Sequence, residues 1–354
     1  MKILVVCPNW VGDAVMATPT LRALRGRFPE AEIVGLMSTT IADTLAGNPW
    51  LDRTLSLPDS PRLAGRRWLA VIGQLRHERF DVAILFPNSF LSALVCRAGR
   101  VKRVVGYARD GRGLLLHDRL WAPWSLRGFR PTPLIDYYLR LLEPWGVTGA
   151  RRSMELFLST VDIARRDRLY QKFGMTDHRP LVTIHPGAAF GPAKHWPTES
   201  FAELARRLVD ERQAHVIILC GPAERELARA IELASERSRS VHSLAHEDVS
   251  IGLSKAIVAQ SHLLVSTDSG PRHFGPAFGI PVVSLFGPTR IEWTETYSID
   301  EIHLQKVVPC GPCQKRVCPQ GHHRCMRELS VDEVYRAVLM QLGDRPSRGA
   351  SRVA

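Results

Sequence analysis

The chain predicts an α/β protein built as two Rossmann-like, doubly wound domains facing a central cleft. Short apolar runs alternate with helix-patterned segments, the alternation restarts in the second half, and polar, Gly-containing stretches follow the apolar runs. A length of 354 residues also exceeds what one ordinary core holds. KILVVC opens the first series as a strand, followed by a helix over 14–28, a strand in AEIVGLMS (31–38) and a short helix ended by Gly47, Asn48 and Pro49. RTLSLP (53–58), FDVAILFPNS (80–89) and KRVVGYAR (102–109) read as further strands, with helices over 62–78 and in SALVCRAG between them. The span 131–145 reads as a helix, and so does VDIARRDRLYQKFGM (161–175). The second series runs through PLVTIHPG (180–187), HVIILCGP (215–222), HLLVSTDSG (262–270) and IPVVSLFGPT (280–289), each a strand that ends in a loop. The expected organisation is a first domain over 1–160, a second over 175–330, an amphipathic helix over 331–342 and a disordered tail over 343–354.

The composition is globular, with 45% hydrophobic and 23% charged residues and no apolar run of about 18 residues, so no membrane span is expected. Lys2 followed by ILVVC imitates a signal peptide, but Pro8, Asn9 and Asp13 interrupt the apolar core too early, which favours a cytoplasmic protein. A net charge of +12 draws polyanions in general, whether nucleic acid, anionic lipid head groups or phosphorylated glycans. The arginines are spread along the chain. No helix concentrates base-reading cations and no aromatic strand of the RNA-binding type appears, so nucleic acid is not an expected partner.

In an open parallel sheet, ligands bind beyond the carboxyl ends of the strands. In the second half, HPGAAFGPAKHWP places Gly187 and Gly191 for close backbone approach and Lys194 as a cation in the same loop. STDSGPRH brings Asp268, Ser269 and Gly270 to a strand end and the start of a helix, with His273 one turn on. Backbone N–H groups and a hydroxyl in that position suit a phosphate. GPAE sets Glu224 where a carboxylate can take both ribose hydroxyls, and FGPT is a fourth loop on the same rim. Together they predict a nucleotide site without Walker spacing. In the first half, CPNWVGDAVMA carries one acid, Asp13, beside Asn9 and Trp10 at the first strand-to-helix turn. Asn88 and Ser89 follow another strand end and can reach sugar hydroxyls, and Lys102, Arg103, Arg109 and Arg112 supply positive charge nearby.

VGDAVMATP, FPNSF, the HPGA…GPAKHWP loop and STDSGPRHFGPAFGIPVVSLFGPT, in this order, resemble the ADP-heptose:lipopolysaccharide heptosyltransferases of glycosyltransferase family 9. The resemblance spans residues 1 to about 342 and is greatest to the type that adds the second heptose. It implies a GT-B architecture, with the donor nucleotide on the C-terminal domain and the acceptor on the N-terminal one. The implied reaction is inverting transfer of L-glycero-D-manno-heptose from ADP-heptose to a phosphorylated Kdo-lipid A or heptosyl-Kdo2-lipid A acceptor. No cofactor is required for that chemistry, and peripheral contact with the anionic inner-membrane surface is expected. By the resemblance, Asp13 takes the acceptor proton and Lys194 offsets the charge of the leaving ADP. Glu224 binds the ribose, while Asp268, Ser269, Gly270 and His273 hold the diphosphate and heptose hydroxyls. Where some members carry a hydroxyl pair, this chain has Ala188 and Ala189, so backbone N–H groups must replace those contacts. A different GT-B sugar-nucleotide enzyme or a heptosyltransferase of the first type is the competing reading, with a basic nucleic-acid-binding protein carrying a Cys cluster ranked behind them.

Cys310, Cys313, Cys318 and Cys325 form a C-x2-C-x4-C-x6-C cluster with His322 and His323 in its last gap. Paired thiols suit a structural zinc, although the spacing is tighter than a zinc ribbon; packed thiols and disulfides are the alternatives. The function expected of the cluster is a clip for the loop before the last helix.

Overall fold

The computed structural model describes residues 1–57, 64–125, 128–129, 131–176, 178–237 and 239–343. The chain divides into two compact units, Met1–Phe157 with Glu292–Tyr297, and Leu158–Ile291 with the segment from Ser298 onward.

In the first unit the strands are β1 (Lys2–Val6), β2 (Glu32–Met37), β3 (Arg53–Ser56), β4 (Val82–Leu85), β5 (Arg103–Tyr107) and β6 (Asp118–Leu120). They form one parallel sheet in the order β3-β2-β1-β4-β5-β6, the strand order of a doubly wound nucleotide-binding fold. A two-stranded hairpin, β7 (Trp124–Ser125) and β8 (Gly128–Phe129), follows. The helices are α1 (Val11–Met16), α2 (Thr18–Arg27), α3 (Thr39–Leu45), α4 (Ala64–Glu78), α5 (Phe90–Ala98) and α6 (Leu134–Leu139). The strands read as unbroken apolar runs because both faces of the sheet are covered. Ile3, Val5 and Ile33 enter one core while Leu4, Val6 and Val34 enter another, which is the two-residue alternation of a strand.

The second unit repeats the plan with β9 (Leu181–His185), β10 (His215–Ile218), β11 (Val241–Ser243), β12 (Leu263–Thr267), β13 (Val282–Phe286) and β14 (Glu301–Gln305). Their order is β11-β10-β9-β12-β13-β14, again all parallel. Its helices are α7 (Thr160–Lys172), α8 (Thr198–Arg212), α9 (Arg225–Ser235), α10 (Ile251–Gln260), α11 (Phe274–Phe278), α12 (Arg324–Arg327) and α13 (Val331–Leu342). Among the described residues no helix is long and apolar enough to cross a membrane.

The structure departs from the pattern reading at several points. The strands β6, β11 and β14 were not expected; β6 and β11 have three residues each, and β14 is only partly buried along its length. The helix expected over 14–28 starts at Val11 and breaks at Ala17. Pro19, in the first turn of α2, brings no N–H to continue the α1 ladder. The helix expected over 131–145 is α-helical only at Leu134–Leu139 and continues as a 3-10 segment, Arg140–Trp145, that contains Pro144. Residues 344–354, expected to be a disordered tail, lie outside the described residues.

Helix α13 belongs to the second unit, and a capping box sets its start. Ser330 Oγ accepts from the Glu333 N–H at 3.3 Å, and Glu333 Oε2 accepts from the Ser330 N–H at 3.0 Å. Lys306 Nζ reaches the other Glu333 oxygen at 2.5 Å, and these contacts pull the Glu333 carboxyl from 4.5 to about 2, the lysine first. A carboxylate depressed in the folded state adds stability above its unfolded value and loses it as the pH falls. Ser330→Ala should cost about 1 kcal/mol at neutral pH in urea unfolding. The difference between variant and parent should shrink as the pH falls from 4.5 towards 2.

Candidate active site

The strand order of the second unit places the ends of β10, β9, β12 and β13 side by side, so the loops that follow them share one edge. After β9 the chain turns through Gly187 and Gly191 into a single 3-10 turn, Pro192–Lys194. Gly191 has φ 150°, and a Cβ there would lie 2.5 Å from the Arg316 carbonyl oxygen, which also accepts from the Ala193 N–H at 3.0 Å. That close approach fixes where Lys194 enters the unit.

Lys194 is only 7% exposed. Its ammonium donates to Asp268 Oδ2 at 2.5 Å and to the Asp268 carbonyl at 2.8 Å, which leaves one of its three protons for a ligand. Asp268 Oδ2 also accepts from Thr289 Oγ1 at 2.6 Å, and Arg272 Nε lies 4.0 Å from Oδ1. Burial works to raise the Asp268 carboxyl, but Lys194 and then Arg272 outweigh it and hold it below the ordinary value. Behind this pair the fully buried Arg272 donates to Glu301 Oε1 at 2.6 Å, and Ser284 donates to the same oxygen at 2.6 Å. Asp268 is therefore occupied in aligning Lys194. His273 is buried, and burial, then Arg272, lowers it to about 3, so its imidazole is neutral. Its Nδ1 has no hydrogen-bond partner among the described residues.

Glu224 ends a 3-10 turn after β10 and accepts from the Gly221 N–H at 2.9 Å. A Cβ at Gly187 would lie 1.8 Å from Glu224 Oε1, so the carboxylate rests directly on the glycine. Burial opposes its ionisation, but the neighbouring His185 and the Gly221 N–H together hold the carboxyl at about 2. Ser269 precedes the 3-10 segment Gly270–His273, and its Oγ lies 3.0 Å from His185 Nδ1. Lys194, Glu224, Ser269 and Gly270 thus share one edge of the sheet with Gly187. His185, Thr289 and Arg272 were missed by the sequence reading. His185 and Thr289 lie within the HPG and GPT stretches, so their place in those motifs was the available signal.

In the first unit, Asn9 and Trp10 follow β1 and are exposed, Trp10 by 51%. Asp13 occupies the first turn of α1, whose N-cap is Trp10, so the acid is not the capping residue. Its charge acts on the fully buried Tyr138 of α6, whose phenol burial, first, and Asp13, second, push well above the ordinary value. At the end of β4, Asn88 is committed to the protein, donating to the Tyr137 hydroxyl at 3.0 Å and accepting from Arg112 Nη2 at 3.0 Å. Ser89 caps α5 and accepts from the Ser92 N–H at 3.3 Å. Arg112 is fully buried and donates to the carbonyls of Tyr107 at 2.9 Å, Ser89 at 3.3 Å and Pro87. Burial raises the Tyr137 phenol, and Asn88 and then Arg109 work against it.

Lys102 and Arg103 are not brought to this edge, which corrects the expectation that they serve the acceptor side. They stand at the start of β5, roughly 13 Å along the strand from its functional end. Lys102 pairs with Asp81 at 2.7 Å, and Arg103 pairs with Asp118 at 2.5 Å and lies over the Trp145 ring.

All seven cysteines are free. Around the C-terminal cluster, Cys325 feels Cys313, Cys310 and Cys318, and burial, then these neighbours, raises its thiol. Backbone N–H groups of residues 320–323 lower the Cys318 thiol, His323 most. Cys310 Sγ lies 3.8 Å from His322 Nε2. The donor set is of zinc-binding kind, but among the described residues no three His, Cys, Asp or Glu side chains are gathered as a metal site.

Arg112→Ala would strip partners from three carbonyls and from Asn88 at once. Its expected cost is on the order of 3 kcal/mol in urea unfolding, and any sugar affinity of the Pro87–Ser89 turn should fall with it.

The glycosyltransferase family 9 (heptosyltransferase) model matches residues 68–323, more than half of the chain. The chain is 28% identical to lipopolysaccharide heptosyltransferase 2 of Escherichia coli (strain K12), covering 96% of this chain and 99% of that one. Among solved structures, the ADP-heptose LPS heptosyltransferase II of E. coli matches with a TM-score of 0.79 at 26% identity, covering 97% of this chain and 98% of that one. A family 9 glycosyl transferase from Veillonella parvula shares the fold with a TM-score of 0.85 at 21% identity, covering 96% and 97%. Motifs, paired doubly wound sheets and family match agree, and the chain belongs to glycosyltransferase family 9, the heptosyltransferases.

Proposed function

We propose that the chain transfers L-glycero-D-manno-heptose, with inversion, from ADP-heptose to the inner core of lipopolysaccharide, and that the acceptor already carries one heptose. The observation that carries the reading is the buried Lys194 ammonium, held by Asp268 on the same edge as Glu224, Ser269 and Gly270. A cation with one proton in reserve, a carboxylate and a hydroxyl on one edge match a diphosphate linked to a ribose. The near-full-length likeness to heptosyltransferases of the second type supports the choice of sugar and acceptor.

In the reaction, a hydroxyl of the acceptor heptose attacks the anomeric carbon while the bond from that carbon to the β-phosphate oxygen breaks. Asp13 takes the hydroxyl proton, and ADP leaves with the bonding pair. Lys194 offsets the charge that grows on the leaving oxygen. Inversion requires base and leaving group to act on opposite faces of the same carbon. Exposed Trp10 beside Asp13 offers a ring face to the acceptor sugar. His273, neutral and buried, contributes shape and a hydrogen bond rather than charge.

The enzyme works at the cytoplasmic face of an anionic membrane. The net charge of +12 supports this, as do Phe90, Leu91 and Leu94, exposed on α5 directly after the Ser89 turn. Cys310, Cys313, Cys318 and Cys325 would hold a structural zinc as a clip for the loop before the last helix. One zinc per chain in elemental analysis supports the clip, and metal-free, fully titratable thiols overturn it.

Asp13→Asn should lower kcat by about 10²–10⁴ with ADP-heptose binding unchanged, measured on heptosyl-Kdo2-lipid A. ADP should raise the unfolding temperature more than UDP or GDP. Transfer to Kdo2-lipid A lacking heptose, with none to the heptosylated form, would overturn the choice of acceptor.

A further inference from the structure

His185 is the last residue of β9 and is 5% exposed, yet no step of the proposed chemistry uses it. Its ring stands between two groups assigned to different parts of the donor. Nδ1 lies 3.0 Å from Ser269 Oγ, and Nε2 lies 3.6 Å from Glu224 Oε2, at ion-pair distance. We propose that His185 is a positioning residue that couples the ribose-binding carboxylate to the diphosphate-binding hydroxyl, so that the two halves of the donor are bound cooperatively through one imidazole. The proposal rests on the donor reading given above and deepens it.

The count of hydrogens carries the argument. A hydroxyl has one proton to give. Ser269 Oγ has two protein neighbours that could accept it, His185 Nδ1 and, at 3.2 Å, Ser266 Oγ. The Ser266 proton is already spent on the Thr267 carbonyl at 2.8 Å. If Nδ1 is bare, the Ser269 proton goes to the ring and only lone pairs face an incoming phosphate oxygen, which repels it. If Nδ1 carries a proton, the ring donates to Ser269, and the serine proton is free for an anionic oxygen, a stronger acceptor than Ser266. The Glu224 carboxylate at Nε2 and the Ser269 hydroxyl at Nδ1 draw on the same ring, whose tautomer decides which of them meets an N–H. Glu224 cannot drift to relax the demand, because the Gly221 N–H holds one oxygen and Gly187 backs the other. Ribose hydroxyls that settle Glu224 thereby settle the ring, and the ring settles the Ser269 proton.

The test measures ADP affinity by calorimetry, together with kcat and KM for ADP-heptose, in the full chain. His185→Ala should weaken ADP about tenfold, as loss of a hydrogen bond to a charged group does, and should raise KM with little change in kcat. His185→Asn, which keeps an N–H close to the Nδ1 position, should recover most of the loss. Ser269→Ala and Glu224→Gln should be non-additive in ADP affinity by about threefold or more when His185 is present, and additive in the His185→Ala background. Unchanged far-UV circular dichroism and unfolding temperature exclude misfolding of the variants. Additive effects in both backgrounds overturn the coupling, and a His185→Asn variant as weak as His185→Ala overturns the role of Nδ1 at Ser269, both leaving the donor site in place. ADP affinity indifferent to both Ser269→Ala and Glu224→Gln overturns the donor reading itself, and the coupling falls with it.

Discussion

An ammonium group cannot be taken out of water alone, and the second unit is arranged around making one burial tolerable. Lys194 is buried because Asp268 meets it with a carboxylate and a carbonyl. Asp268 in turn is tolerable because Thr289 and Arg272 meet it, and Arg272 because Glu301 does, with Ser284 donating to the same Glu301 oxygen. Charges alternate along this line, from cation to anion to cation to anion, starting at Lys194 and ending at Glu301, the first residue of β14. A diphosphate arriving at the edge meets a balanced array whose terminal cation is aimed and dry, not an excess of loose positive charge. The array draws on separate parts of the chain: Lys194 on the loop after β9, Asp268 and Arg272 on the stretch after β12, and Glu301 on β14.

The first unit handles charge in the opposite way. At the starts of its strands, Lys2, Arg53, Lys102 and Arg103 are paired off with Glu78, Glu32, Asp81 and Asp118. At the ends of the same strands stand Asp13 and Trp10, Arg109 and the Arg112 frame under the Pro87–Ser89 turn. A parallel sheet has two chemically different edges because every strand runs the same way. Position relative to the strand's direction, rather than nearness in sequence to a motif, decides which cations can meet a substrate.

The fold class was legible because buried parallel strands have to be continuous apolar runs, and HVIILC or HLLV has no other plausible place. What escaped were elements whose pattern is weak for physical reasons. The three residues of β6 and β11 are too few to show a period, and β14, EIHLQ, is partly buried throughout and carries a mixed pattern. On the donor side the loops were legible as polar residues after apolar runs, and Lys194, Glu224, Ser269 and Gly270 indeed share one edge. The pairing of side chains was not legible. Nothing in STDSGPRH says that Asp268 turns inward to Lys194 while Ser269 turns to His185, since that depends on contacts with residues some 75 to 85 positions away. Asn88 and Arg112 show the same limit: both were visible as polar residues near a strand end, but their mutual commitment follows from a turn of the chain between them.

The contact between Gly187 and Glu224 carries a consequence for how such a chain can change over generations. A methyl group at position 187 has no room while the glutamate side chain occupies its present place. Any exchange at 187 therefore becomes acceptable only after position 224 has shortened or swung away, and a shortened 224 gives up its hold on the Gly221 N–H. The two positions form an epistatic pair with a preferred order of substitution. Lineages that recruit this scaffold for a different nucleotide sugar would have to pass first through a change at 224, with the glycine released only afterwards.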